Sequence, residues 1–145
     1  MDSLPEEFKD CLFDINQGFI EGLIPKLSEN GTSGTYFLQN LNRKNVAVFK
    51  PRDEEPFTLN NPKGYNYIKG ELMGFRKGIR PGESHIREIA AFLLDDKKFH
   101  QVPATSFVEV YHNKFNQRLK KGSLQLFVSH DDVAGNYSSS LFSTE

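Results

Sequence analysis

Apolar residues recur along residues 5–22 at the spacing of one helix face. Phe8, Cys11, Leu12, Ile15, Phe19 and Gly22 fall three or four apart and Pro5 stands near the start, so the pattern predicts a helix. The period then shortens to two. Segments 23–28, 35–39 and 46–50 read as strands. Asn30-Gly31, followed by Gly34, favours positive φ and predicts a tight turn over 29–34, and the polar run 40–45 predicts another. The three strands therefore form a meander.

Residues 51–83 are irregular. Pro51, Pro56, Pro62 and Pro81, with Gly64, Gly70, Gly74, Gly78 and Gly82, interrupt any long element. Lys63, Lys69, Arg76, Lys77 and Arg80 face a single acid, Glu71, and alternate with Tyr65, Tyr67, Ile68, Leu72, Met73 and Phe75. This 63–80 stretch reads either as a solvated loop with apolar anchors or as a patch for anionic lipid headgroups. In the second case each basic residue near the surface adds about 1 kcal/mol.

Ser84 stands where an N-cap belongs, and 85–95 form the next predicted helix. Ile86, Ile89, Ala90, Leu93 and Leu94 make its expected core stripe. Glu88 lies nearly opposite, on a second face with Ala91 and Phe92, where a carboxylate needs a cation; Lys50 is the candidate. Residues 102–110 and 123–128 read as a fourth and a fifth strand, with Pro103 at an edge or a start. Between them 113–121 read as a basic turn. From Ser129 the chain turns polar and becomes Ser-rich at 138–140.

The chain has 145 residues, the length of one domain, and its 13 Phe and 5 Tyr make the expected core aromatic. A net charge of −1 gives no global drive toward nucleic acid or acidic membranes, so no nucleic-acid partner is expected. One cysteine, Cys11, excludes an internal disulfide framework and reads as a small buried residue beside Leu12 and Phe13. No apolar run reaches the ~20 residues of a membrane-spanning helix. The acidic N-terminus lacks a signal-peptide core, which sets a cytoplasmic location as the expectation. His85, His100 and His112 show no metal-ligand spacing.

A glycine turn lets backbone N–H groups approach an anion without obstruction, and Thr32 and Ser33 add hydroxyls. Taken alone, the turn, Lys50 and Glu88 are each weak signals. Their order (turn, strand, lysine, helix, glutamate) joins them, because in kinases a strand lysine contacts the nucleotide phosphates and a helix glutamate pairs with it. His130-Asp131-Asp132 and Asn136 do not match a catalytic loop. Counted from His130, the asparagine position falls on Tyr137, so the segment reads as a polar loop.

Several motifs carry a closer likeness. They are Gly31-Thr32-Ser33-Gly34-Thr35-Tyr36-Phe37, Val48-Phe49-Lys50-Pro51-Arg52-Asp53-Glu54-Glu55-Pro56-Phe57 and Asn61-Pro62-Lys63-Gly64-Tyr65. Arg87-Glu88-Ile89-Ala90-Ala91-Phe92-Leu93-Leu94-Asp95, Val102-Pro103-Ala104-Thr105 and Gly122-Ser123-Leu124-Gln125-Leu126-Phe127-Val128 follow. In order and spacing they resemble the phosphatidylinositol 3-/4-kinase superfamily, most closely its type II 4-kinases of the plant gamma branch. The resemblance implies an α+β small lobe: a five-stranded antiparallel sheet, a packed helix and an N-terminal helix. It divides the chain into an N-terminal helical segment (1–22), the lobe (23–128) and a polar tail (129–145) leading toward a second lobe.

The resemblance also assigns roles. Glu29, Asn30, Gly31, Thr32, Ser33, Gly34 and Thr35 would form the phosphate loop, Lys50 would bind ATP with Glu88 as its partner, and Gln125, Leu126, Phe127 and Val128 would be the adenine hinge. Glu55, Pro56 and Phe57 fall where the family shapes its lipid-substrate region. The acceptor would be phosphatidylinositol or a protein hydroxyl. The family's catalytic base and metal-binding aspartate lie in the second lobe. The expectation is therefore no catalytic residue in this chain, Mg2+ only where that lobe is supplied, and inactivity of the lobe alone. A cytoplasmic protein, peripheral on membranes through residues 63–80, completes this expectation. The alternative is a non-catalytic nucleotide-binding or partner-docking module, with Leu126, Phe127, Leu141 and Phe142 as docking candidates.

Overall fold

The computed structural model describes residues 4–66, 78–133 and Asn136. Much of the basic 63–80 stretch, the Ser-rich tail, Leu141 and Phe142 lie outside the described residues. The first element is helix α1 (Glu6–Ile20). It stops at Gly22, whose φ is +87°. There the N–H of Leu23 bonds the carbonyl of Gly18 at 2.8 Å and the N–H of Gly22 that of Phe19 at 3.1 Å, closing the helix end in a Schellman turn.

Strands β1 (Lys26–Leu27), β2 (Tyr36–Gln39) and β3 (Asn45–Pro51) form the expected meander. The first is shorter than the 23–28 expected, because Pro25 has no N–H for a ladder. A single 3-10 turn, Arg52–Glu54, follows. After helix α2 (Ser84–Leu94) come β4 (Thr105–Tyr111) and β5 (Leu119–Leu126). All pairings are antiparallel, in the order β1-β2-β3-β5-β4. The architecture is the expected α+β one, a five-stranded antiparallel sheet with two helices.

Strand alternation gives the sheet two distinct faces. One carries Leu38, Ala47, Phe49 and Leu124 and is covered by α1 through Phe8, Cys11 and Ile15. Gly18 lets the helix come close: a Cβ there would stand 2.7 Å from the carbonyl oxygen of Gln39. Phe115 closes this aromatic core, edge-on to Tyr36 at 5.1 Å. Burying a Phe of this kind stabilises the fold by roughly 1.5–3 kcal/mol. The opposite face carries Phe37, Val48, Lys50, Ser123 and Phe107, and α2 packs on it.

Three expectations need correction. The core stripe assigned to α2 is only partly covered: Ile89 and Ala90 are half-buried, but Ile86, Leu93 and Leu94 are 56%, 72% and 81% exposed. His85 is buried instead, and Glu88 faces the sheet with it. Both faces of this helix are apolar enough to pack, and Lys50 on the sheet selects the one bearing a carboxylate. Ser84 is the first helical residue rather than the cap, and its N–H is taken by Glu55. Finally, the basic turn is shorter than 113–121. β5 begins at Leu119 and buries Lys120 completely, because two carboxylates neutralise it.

Candidate functional site

Lys50 and Glu88 meet in an ion pair between β3 and α2. Their side chains are 31% and 32% exposed, so a ligand can reach the lysine while the carboxylate orients it. Pairing of Lys50 with Ser123 fixes where the side chain leaves the sheet. The strands are tight here: a Cβ at Gly122 would stand 2.1 Å from the carbonyl oxygen of Lys50.

Glu55 sets the position of α2. Its buried carboxylate accepts the N–H of Gly82 and that of Ser84, each at 2.8 Å. An anion at the first turn also complements the helix dipole. His85 places Nδ1 3.9 Å from the same carboxylate and packs its ring against Phe107 at 5.8 Å. Glu88, one turn further on, is thereby aimed at Lys50.

The glycine turn completes the site. Gly31 has φ +74°. The N–H of Ser28 bonds Thr35 at 2.7 Å, and that of Gly34 bonds the carbonyl of Glu54 at 2.8 Å. Gly31, Thr32, Ser33, Gly34, Thr35, Lys50, Pro51, Glu55, Ser84 and Glu88 line one cleft of about 300 Å3. The cleft combines backbone amides, two kinds of hydroxyl and a lysine, a donor set suited to a chain of phosphates.

The other expected site residues lie elsewhere. Glu29 and Asn30 belong to the turn, outside the cleft lining. Pro56 and Phe57 follow Glu55 in the connection; the N–H of Phe57 bonds the carbonyl of Tyr65 at 2.6 Å. Gln125 donates to Thr105 Oγ1 at 2.9 Å. The N–H of Leu126 bonds Ala104 and that of Phe127 bonds Val46, each at 3.0 Å, while the Val128 carbonyl meets His130 Nδ1 at 2.8 Å. Leu126, Phe127 and Val128 line a second cleft with Phe92, Val102 and Pro103.

Sequence reasoning missed the polar framework beneath the turn. Lys120 donates to Asp53 at 2.5 Å and pairs with Glu54 at 3.0 Å. Glu54 also accepts the Tyr36 hydroxyl at 2.7 Å. Burial, and then the Glu54 carboxylate, push the Tyr36 phenol far above its ordinary pKa, so it stays a donor. Asn61 and Lys63 reach the turn's carbonyls from behind. Asn61-Pro62-Lys63 was the signal available for the last two. A lysine in a basic run gives no sign of being buried. Among the described residues, no group of three His, Cys, Asp or Glu is placed to hold a metal ion, and no helix is long and apolar enough to cross a membrane.

The sequence matches those of known proteins. The family model for phosphatidylinositol 3- and 4-kinase matches residues 31–145. Phosphatidylinositol 4-kinase gamma 8 of Arabidopsis thaliana is 41% identical over 133 residues, covering 88% of this chain and 25% of that protein. Phosphatidylinositol 4-kinase gamma 5 of the same plant is 35% identical, covering 89% of the chain and 23% of that protein. Phosphatidylinositol 4-kinase gamma 4 of Oryza sativa subsp. japonica is 36% identical, covering 84% and 23%. The chain thus spans about a quarter of the length of these relatives. With the matched model covering most of its length and the kinase-like small lobe formed around Lys50 and Glu88, the chain belongs to the phosphatidylinositol 3- and 4-kinase family.

Proposed function

We propose that this chain is the ATP-gripping lobe of a phosphatidylinositol 4-kinase-like phosphotransferase. The observation that carries the reading is the Lys50–Glu88 pair standing in one cleft with the 31–35 turn. Lys50 meets the phosphates, Glu88 holds Lys50 in place, and the turn supplies N–H donors. The base packs on the apolar part of the same sheet face. There Phe37 and Phe127 stand edge to face at 6.0 Å, and Val48 is paired with Phe37. Val128 leaves the sheet beside them, where its backbone can meet an adenine edge.

The names of the relatives support phosphatidylinositol as the acceptor, with a protein hydroxyl as the competing one. Family membership implies ATP with a divalent metal as phosphoryl donor. In this reading these 145 residues supply the grip, and the base and metal ligands come from a second lobe. Calorimetric titration of ATP tests it. The chain binds ATP, and Lys50→Met weakens binding about tenfold or more, the loss of one charge-assisted contact. Equal affinity in the two proteins would overturn the reading.

A further inference from the structure

Asn61 and Lys63 stand behind the glycine turn, outside the lining of the cleft, and both end on its carbonyls. Lys63 Nζ donates to Asn30 at 2.5 Å and to Gly31 at 3.1 Å. Asn61 Nδ2 donates to Thr32 at 2.8 Å and to the carbonyl of Glu54 at 3.0 Å. Its Oδ1 accepts the N–H of Lys63 at 2.9 Å and that of Tyr65 at 3.1 Å. A primary amide has two donor hydrogens and two acceptor lone pairs. The buried Asn61 side chain is therefore saturated, and it ties together the turn, the 3-10 segment and its own loop.

The direction of these bonds matters. In a trans peptide unit the C=O and the following N–H point in opposite directions. The carbonyls of residues 30, 31 and 32 are drawn toward the 61–63 loop, so the N–H groups of Gly31, Thr32 and Ser33 point away from it. Those same residues line the cleft with Lys50. Among the described residues, no acceptor pairs with these three N–H groups. Successive N–H groups in such a turn form an anion-binding concavity.

We infer that Asn61 and Lys63 are positioning residues that hold the turn with three consecutive N–H groups facing the cleft, ready for the phosphate chain of a nucleotide. The ligand half of this inference rests on the nucleotide reading above. Neither side chain touches the ligand; both act through the turn.

The test uses the full chain with Lys63→Met, Lys63→Arg and Asn61→Ala. Two readouts are taken: 15N order parameters at residues 31–33, and calorimetric affinities for ATP and for adenosine. In Lys63→Met and Asn61→Ala the order parameters fall from the rigid value of about 0.85 toward 0.6. ATP affinity drops roughly tenfold, adenosine affinity stays within about twofold, and Lys63→Arg restores both readouts. Lys63→Met keeps the test decisive should Asn61→Ala fail to fold. Unchanged order parameters with weaker ATP binding would make Lys63 a charge sensed directly by the ligand and overturn the positioning role. Equal losses for ATP and adenosine would overturn it too. If the unaltered chain binds neither ligand, the nucleotide reading falls, and the order parameters alone decide whether the clamp exists.

Discussion

The side chain of Glu54 occupies the space into which a side chain at Gly34 would project. A Cβ on Gly34 would stand 2.2 Å from Glu54 Oε2 and 2.6 Å from Glu54 Cβ. The glutamate cannot retreat, because it is buried and held by Lys120 and Tyr36. Gly34→Ala therefore destabilises the chain by about 1–3 kcal/mol through overpacking. A denaturant midpoint equal to that of the unaltered chain would contradict this.

Lys120 is the cation beneath the turn. Lys120→Met leaves Glu54 buried without its charge partner and costs about 3–5 kcal/mol. Adding Glu54→Gln removes the stranded charge and recovers much of the loss. A double-mutant cycle by chemical denaturation measures the coupling. Additive losses would show that the two residues act independently.

Asp95 holds the connection from α2 to β4. Its carboxylate accepts the N–H of His100 at 2.8 Å and that of Val102 at 2.9 Å. Within this connection Lys97, Lys98 and Gln101 adopt positive φ, at 57°, 55° and 53°. The bond from His100, then that from Val102, lowers the pKa of this half-buried carboxyl. A lowered carboxyl pKa stabilises the folded state above the ordinary value of about 3.9, and the contribution disappears as pH falls through the folded-state value. Asp95→Asn should flatten this part of the acid unfolding curve. A variant that retains the full acid loss would place its origin elsewhere.

Cys11 is sealed between α1 and the sheet, with Sγ 3.5 Å from the carbonyl oxygen of Val46. Burial, with Asp14 adding to it, raises the thiol pKa from 9.0 to about 11. At pH 8 that is about a hundredfold less thiolate. Iodoacetamide should label the native chain far more slowly than the chain in denaturant. Similar rates in both would mean that the helix does not cover the thiol.

Several parts of the architecture were legible in the sequence, for physical reasons. Gly31 marks backbone that other residues adopt with difficulty, and alternation along 46–50 fixes which side of β3 Lys50 leaves from. The orientation of α2 was less legible. Ile86, Leu93 and Leu94 make as good an apolar stripe as the face that packs, and the charge on Lys50, 38 residues away, decides between them. The cap of α2 was hidden for a similar reason, since Glu55 lies 29 residues before Ser84. Lys120 was concealed by its own chemistry: only Asp53, 67 residues away, and its neighbour Glu54 make its burial tolerable.

The most direct test of the central claim, that Lys50, Glu88 and the turn form one phosphate-gripping site, is an amide chemical-shift titration of the 15N-labelled chain with ATP. The account predicts that the largest shifts gather at Gly31, Thr32, Ser33 and Gly34, extend to Lys50 and Glu88, and need about tenfold more ATP or higher in Lys50→Met. Shifts concentrated instead in the groove beside α1, around Phe19 and His112, or no shifts at all, would contradict it.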